Sequence, residues 1–246
     1  MNNNQSEPVY IESAMCPVPI RDRGHIILGH GSGGKLSHDL IAERFLPAFD
    51  NPVLRTGDDA GVVKLNACTQ LAISTDSHVV KPLFFPGGDI GRLAVCGTVN
   101  DVAMMGATPL YLTVGFILEE GLEIGLLERV IESMQVTAVT ANIQIVAGDT
   151  KVVEHGKADG IYINTTGVGL MLPATDISGA NARPGDVVIV SGTLGDHGIA
   201  VLSARGELGL ETDIQSDVAP LNKMILAILE ATDAVHVLRD PTRGGL

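Results

Sequence analysis

The chain has 246 residues, 45% of them hydrophobic, which is enough for a sizeable core and for one large or two ordinary domains. Its formal net charge of −13 argues against nucleic acid and anionic membranes as partners, because both attract basic surfaces. The same charge suits divalent cations, which prefer carboxylate ligands. Three cysteines without a CxxC pair, and the absence of a long apolar run, predict a cytoplasmic protein without a disulfide framework, zinc site, secretory signal or transmembrane helix.

The N-terminal part of the chain begins with a proline-containing polar stretch, residues 1–24, which predicts a flexible tail. Four glycines within residues 29–35 then predict an irregular loop. Next we expect a helix at 36–46, ended by Pro47, because Leu40, Ile41 and Phe45 lie on one side of it.

The middle of the chain alternates between strand and helix patterns. The clearest pattern is a helix at 124–142, where apolar residues recur at i+3, i+4 and i+7. The full set is strands at 61–65 and 71–75, a helix at 88–105 stopped by Gly106, a strand at 110–118, the helix at 124–142, and strands at 143–147 and 161–171.

Residues 173–185 are rich in Pro, Gly, Asn and Asp and predict a linker. It would divide a first domain, 25–172, from a second unit, 173–246. In the second unit we expect strands at 187–190 and 235–238, a helix from Ile199 and a helix at about 219–231. The alternation predicts an α/β or α+β architecture, and the spacing alone does not choose between the two.

Acidic segments lie at the ends of several predicted strands and in one predicted helix. They cover residues 56–60, 74–77, 99–101 and 147–151. Brought together by folding, their carboxylates would hold Mg²⁺ against the phosphates of a nucleotide. A single Asp in a turn is more often a helix cap or an Asx turn. Asp101 differs because it lies in an apolar helical stretch, where an unpaired carboxylate costs roughly several kcal/mol to bury.

Two glycine-rich loops are weaker signals. The backbone N–H groups of residues 29–35 and the charge of Lys35 suit a phosphate, but the Walker A spacing is absent, and a loop without a ligand is the commoner interpretation of such a motif alone. Residues 191–198 lack the GxGxxG order and predict a tight connection from strand to helix. Cys96 lies in an apolar helix and is predicted to be a core residue.

Six segments in order, at 30–35, 74–109, 115–122, 148–153, 191–198 and 239–246, carry a family resemblance. From about residue 26 onward the sequence resembles the HypE family of hydrogenase maturation proteins, within the AIR-synthetase-like (PurM-like) ATP-binding superfamily. The GDDA and GDTK segments alone would indicate only that superfamily.

The resemblance implies a two-domain PurM-like fold. The N-terminal domain would pair with a second copy to form a homodimer with a β-barrel-like centre, and the C-terminal α/β domain would be incomplete. About a third of the family's length is expected to be absent, including a terminal cysteine that carries the substrate. None of Cys16, Cys68 and Cys96 is assigned that role.

The resemblance also implies a set of site residues for ATP and Mg²⁺. Lys151 and Asp101 would be catalytic. The crowd of carboxylates favours a charged Lys151 that holds the γ-phosphate, although a role as base stays open. The metal ligands would be Asp58, Asp59, Asp76, Asp101 and Asp149, and the nucleotide contacts Gly31, Ser32, Gly33, Gly34, Lys35, Asp76, Asn100, Asp149, Thr150 and Lys151, with residues 31–35 as a flap over the phosphates.

The implied activity is ATP-dependent dehydration of a cysteine S-carboxamide to an S-cyanide, the source of the cyanide ligand of NiFe hydrogenases. HypF would load the carbamoyl group, and a HypC–HypD complex would receive the cyanide. Two alternatives remain: a nucleotide-binding dimeric scaffold for maturation partners, and another PurM-like enzyme of the selenophosphate synthetase or thiamine monophosphate kinase type.

Overall fold

The computed structural model describes residues 25–173, 175–206, 209 and 212–242. The predicted tail, with Cys16, and the last four residues of the 239–246 segment lie outside this description. The main feature is a five-stranded sheet in the order β1-β2-β7-β5-β6. Its strands are β1 (Gly61–Lys64), β2 (Gln70–His78), β5 (Ala107–Glu119), β6 (Gln144–Val153) and β7 (Ile161–Met171), and a separate short hairpin joins β3 (Phe84–Phe85) to β4 (Gly88–Asp89).

The helices include two long ones that follow the hairpin and β5. Short 3-10 turns lie at Leu28–Gly31, Leu54–Thr56 and Gly179–Asn181, and a π-helical turn lies at Ile41–Phe45. The α-helices are α1 (Lys35–Leu40), α2 (Leu46–Phe49), α3 (Ile90–Met104), α4 (Ile124–Ala141), α5 (Asp196–Arg205) and α6 (Asn222–Ala231). The mixture of helices and strands confirms the predicted α/β or α+β architecture.

The sheet is antiparallel except for β5 and β6, which are parallel and joined by α4. A parallel pair needs such a crossover because its strands run in the same direction. The helix α3 begins after Asp89, whose Oδ1 accepts hydrogen bonds from the backbone N–H groups of Gly91 (2.8 Å) and Arg92 (3.0 Å). The helix α4 ends at Asn142, which takes the left-handed conformation at φ 57°.

The helices α3 and α4 cover one face of the sheet and bury the main core against it. Ile90, Val95 and Val99 of α3 pack with Leu112 of β5 and Ile163 of β7. The opposite face, which we call the open face, carries side chains that alternate with the buried ones. Its exposed apolar members are Ile73, Tyr111, Ile117 and Leu170. Within the described residues the sheet does not close on itself, so a barrel-like centre would need a second copy.

Gly91 allows α3 and α4 to approach each other closely. A Cβ atom there would lie 2.5 Å from the Val130 carbonyl oxygen, whereas a Cβ at Gly125, likewise the second residue of its helix, would meet nothing within 4 Å. We expect Gly91→Ala to lower the free energy of unfolding by about 1–3 kcal/mol through overpacking. The matched control Gly125→Ala should raise it by about 0.5–1 kcal/mol. Urea denaturation measures both, and an unchanged stability in Gly91→Ala would contradict the close approach.

Several predicted boundaries are wrong. Pro47 does not end the first helix. The helical backbone continues from Lys35 to Phe49, and the π-helical turn Ile41–Phe45 lies directly before the proline, where the i→i−4 pattern is already interrupted. The strand predicted at 143–147 continues to Val153, so residues 148–151 form no turn. Asp76 likewise lies inside β2.

The strands predicted at 187–190 and 235–238 are absent, although both segments are described. Val187, Val188, Ile189 and Val190 are all exposed. A strand is defined by hydrogen bonds to a neighbour, and the described part of the chain places no neighbour beside these segments. The helices predicted from 199 and 219 begin instead at Asp196 and Asn222.

Candidate functional site

Asp101 lies on α3 under the sheet, and its Oδ2 accepts a hydrogen bond of 2.7 Å from Ser74 Oγ. Burial raises the pKa of the Asp101 carboxyl to about 7, against the lowering effect of the Ser74 hydroxyl. The negative charges of Asp240, Asp76 and Asp59 raise it further. These four aspartates, which we call the acidic cluster, therefore lie within electrostatic reach of one another.

Asp59 contributes a carboxylate that is only 11% exposed. Its Oδ1 lies 3.0 Å from Arg239 Nη1, and its Oδ2 is buried without a hydrogen-bond partner among the described residues. Burial raises the pKa of Asp59, and the Arg239 charge acts in the opposite direction. A buried carboxylate oxygen without a partner is costly, and a cation is a ligand that removes that cost.

Asp240 and Arg239 enter the cluster from a distant part of the chain. Burial raises the pKa of Asp240, and the charge of Asp76 raises it further. In the sequence, the 239–246 segment contributes to the family resemblance alone, and neither residue was predicted to have a role. The available sequence signal is an adjacent Arg-Asp pair directly after Val237 and Leu238.

The side chains of two predicted site residues, Asp58 and Asn100, form hydrogen bonds with segments far away in the chain. Asp58 accepts hydrogen bonds from Ser178 Oγ (2.9 Å) and the Gly179 N–H (2.8 Å). The Asn100 amide donates to the Ala219 carbonyl (3.0 Å) and accepts from the Leu221 N–H (2.8 Å). Both residues thus hold the later segments 178–179 and 219–221 in place, and a ligand contact through either side chain would compete with these bonds.

Asp149, Thr150 and Lys151 are not brought to the acidic cluster within one chain. Across the sheet, Asp76 pairs with Thr165, Thr165 with Val114, and Val114 with Gly148. Asp76 and Gly148 are therefore three strand spacings apart, or roughly 14 Å. Asp149 and Lys151 alternate with Gly148, so they lie on the open face, opposite to Asp76. Both are largely exposed, with Lys151 Nζ 3.6 Å from Asp149 Oδ2.

The glycine-rich loop, residues 31–35, precedes and enters α1 and is exposed. The Gly33 N–H donates to Ser37 Oγ (2.9 Å), and Lys35 Nζ forms an ion pair with Asp39 (2.9 Å). Lys35 is therefore held by a carboxylate on its own helix. An exposed pair of this kind contributes little to stability, so it leaves the lysine available for a phosphate.

The acidic cluster fits a magnesium ion held in part by a substrate. No group of three or more His, Cys, Asp or Glu side chains has metal-binding geometry anywhere in the described ranges. Mg²⁺ usually binds one or two carboxylates and completes its shell with water and phosphate oxygens, so an enclosed protein cage is not required. The Asp59 Oδ2 without a partner and the buried Asp101 supply such carboxylates.

The two free cysteines of the described residues, Cys68 and Cys96, differ in burial. Cys96 is buried, as predicted, and burial raises its pKa to about 12, so at neutral pH it stays a protonated core residue. Cys68 is exposed in the turn between β1 and β2.

In the described ranges, no helix combines the length and the apolar character that crossing a membrane requires.

Comparisons with known proteins give the family. Residues 57–171 match the N-terminal domain of AIR synthase related proteins, and residues 183–246 match their C-terminal domain. The chain is 53% identical over 223 residues to the carbamoyl dehydratase HypE of Cupriavidus necator, which covers 91% of this chain. The chain belongs to the HypE family. It spans 64% of the length of that relative.

Two solved HypE structures have the same fold. The structure of a HypE–HypF complex matches with a TM-score of 0.78 and 54% identity, covering 84% of this chain and 66% of the other. A HypE structure in complex with ATP matches with a TM-score of 0.70 and 53% identity, covering 90% and 66% respectively. The expected PurM-like architecture of the chain is confirmed.

Proposed function

We propose that this HypE-family chain binds Mg-ATP at the acidic cluster and takes part in the ATP-dependent dehydration of a cysteine S-carboxamide to an S-cyanide. The single observation that carries the proposal is the partly buried cluster of Asp59, Asp76, Asp101 and Asp240, in a chain 53% identical to a carbamoyl dehydratase. Four carboxylates in a partly buried place favour a cation, and a nucleotide phosphate favours the same cation.

The reaction requires the carboxamide oxygen to become a leaving group. The oxygen takes the γ-phosphoryl group of ATP, ADP leaves, the nitrogen loses its two protons, and the oxygen departs as inorganic phosphate when the C≡N bond forms. Bound Mg²⁺ would offset charge on the phosphates. The residues of this chain that would hold it are Asp59, Asp76 and Asp101, with Asp240 beside them.

Lys151 and Asp149 would act at this site only if a second copy brought them to it. They occupy the open face, whose apolar side chains are the surface that a homodimer would bury. Under this proposal Lys151 of one protomer supplies a cation near the phosphates bound by the other. The predicted catalytic role of Lys151 therefore depends on the homodimer.

The proposed partners follow the family. HypF is the proposed donor of the carbamoyl group, since a solved HypE relative forms a complex with a HypF protein. The proposed acceptor is a HypC–HypD complex. We further propose a cytoplasmic location, which suits the free thiols Cys68 and Cys96.

Calorimetry with Mg²⁺ and a non-hydrolysable ATP analogue tests the site. We expect Asp76→Asn to weaken binding about 10- to 100-fold, because it removes one charge from the cation site. Asp149→Asn is the informative comparison. It should leave binding unchanged in the monomer and weaken it only where the protein is dimeric. Unchanged affinity in Asp76→Asn would refute the acidic cluster as the Mg-ATP site. A nucleotide turnover assay of the parent separates the two functions, because a nucleotide-binding scaffold binds ATP without turning it over.

A further inference from the structure

His78 is a buried imidazole directly behind the acidic cluster. It ends β2, two residues after Asp76 and on the same face of the strand, and it is 4% exposed. Its Nε2 lies 3.6 Å from Asp76 Oδ2 and 3.3 Å from Thr165 Oγ1. The sequence alone predicts no role for His78, because a histidine at the end of a strand has no distinguishing pattern.

A pair of buried hydroxyl groups determines which way the imidazole donates. Thr165 Oγ1 donates to the Ala94 carbonyl (3.1 Å) and lies 2.6 Å from Thr98 Oγ1. A hydroxyl has one proton, so with that proton on Ala94 the Thr165 oxygen accepts from both Thr98 and His78. The Nε2 atom of His78 is then a donor, its single N–H is directed to Thr165 Oγ1 at 3.3 Å, and Asp76 Oδ2 lies 3.6 Å from the same nitrogen.

Gly97 on α3 leaves the room that this pair occupies. A Cβ atom at position 97 would lie 3.0 Å from His78 Cε1 and 3.3 Å from Asp76 Oδ2. The other oxygen of Asp76, Oδ1, accepts a hydrogen bond of 2.8 Å from the Ser77 N–H. The carboxylate is thus confined by strand, helix and imidazole together.

We propose that His78 is a positioning residue, which holds Asp76 in the orientation that binds the nucleotide-bound cation. The proposal rests on the proposed Mg-ATP site. A carboxylate that binds a metal is usually oriented by a second hydrogen-bonding group, and loss of that group typically weakens metal binding about 10- to 100-fold. The 3.6 Å between Nε2 and Asp76 Oδ2 is longer than a hydrogen bond, so the proposal requires the Nε2 N–H to turn from Thr165 to the carboxylate when the cation binds.

The test compares His78→Leu with His78→Gln in the full chain. Leucine removes the donor, whereas glutamine places an amide N–H close to the position of Nε2. Calorimetry with a non-hydrolysable ATP analogue, with and without Mg²⁺, separates the metal-dependent part of binding from general damage. We expect His78→Leu to weaken binding about 10- to 100-fold with Mg²⁺ and not without it, and His78→Gln to restore most of the loss.

Gly97→Ala gives a second, independent variant if His78→Leu does not fold. It crowds the pair without removing a donor, and it should weaken binding with Mg²⁺ while Gly125→Ala does not. Parent-like binding of a folded His78→Leu, or equal losses with and without Mg²⁺, would overturn the positioning role. Asp76→Asn, measured in parallel, distinguishes failure of the positioning role from failure of the proposed Mg-ATP site. If Asp76→Asn also binds like the parent, the proposed site itself is wrong.

Discussion

Asp101→Asn is expected to abolish Mg-ATP binding and, at the same time, to stabilise the ligand-free fold at pH 8. Asparagine keeps an oxygen for the 2.7 Å hydrogen bond from Ser74 but removes the buried charge. The pKa of Asp101 is raised from 3.8 to about 7, chiefly by burial. A tenfold change in proton affinity corresponds to about 1.4 kcal/mol, so the charged form costs the fold at most about 4 kcal/mol.

The direction of the pH dependence follows from that raised pKa. The folded carboxyl binds its proton more tightly than an unfolded aspartate does, so this group's contribution to stability is fully present below pH 3.8 and is lost as the pH rises to about 7. The stability gain in Asp101→Asn should therefore be near zero at low pH and largest above pH 7. Urea denaturation of parent and variant across that range measures it. A gain that does not change with pH would contradict the raised pKa, and retained Mg-ATP binding would remove Asp101 from the site.

Ile117→Asp is expected to convert the proposed homodimer into a monomer. Ile117 lies on the open face and is 42% exposed in the single chain, so a second copy covering that face would bury it. A carboxylate in such an interface costs several kcal/mol, roughly, unless it is paired. The dissociation constant of the dimer should rise at least about 100-fold, since each 1.4 kcal/mol is a factor of about ten. Light scattering over a range of concentrations measures it.

Ile131→Asp is the matched control. Ile131 is also an exposed isoleucine, but it belongs to α4 on the helical side of the sheet. It should leave the dimer intact. A parent chain that stays monomeric at micromolar concentration would refute the homodimer, and dissociation by Ile131→Asp alone would place the interface on the helices. Nucleotide binding of the Ile117→Asp monomer then shows whether Lys151 acts across the dimer.

The parts of the fold that sequence predicted well are those with a local pattern. The helix predicted at 124–142 and the strand predicted at 161–171 agree with α4 and β7 to within a residue. Their patterns are readable because apolar spacing reports directly which side of an element is buried. The predicted element boundaries were wrong where the contact that sets the boundary comes from a residue distant in sequence. Residues 148–151 look like a turn, but hydrogen bonding to β5 keeps them in the strand.

For the site, the sequence by itself determined the HypE resemblance and the acidic character, and it singled out Asp101 as a carboxylate in an apolar helix. Only the tertiary structure decided which carboxylates meet. It added Asp240, placed His78 behind Asp76, and put Asp149 and Lys151 on the opposite face of the sheet. The physical reason is that local spacing determines the face of each element, whereas strand order and register determine which faces coincide. Both depend on hydrogen bonds between residues far apart in the chain.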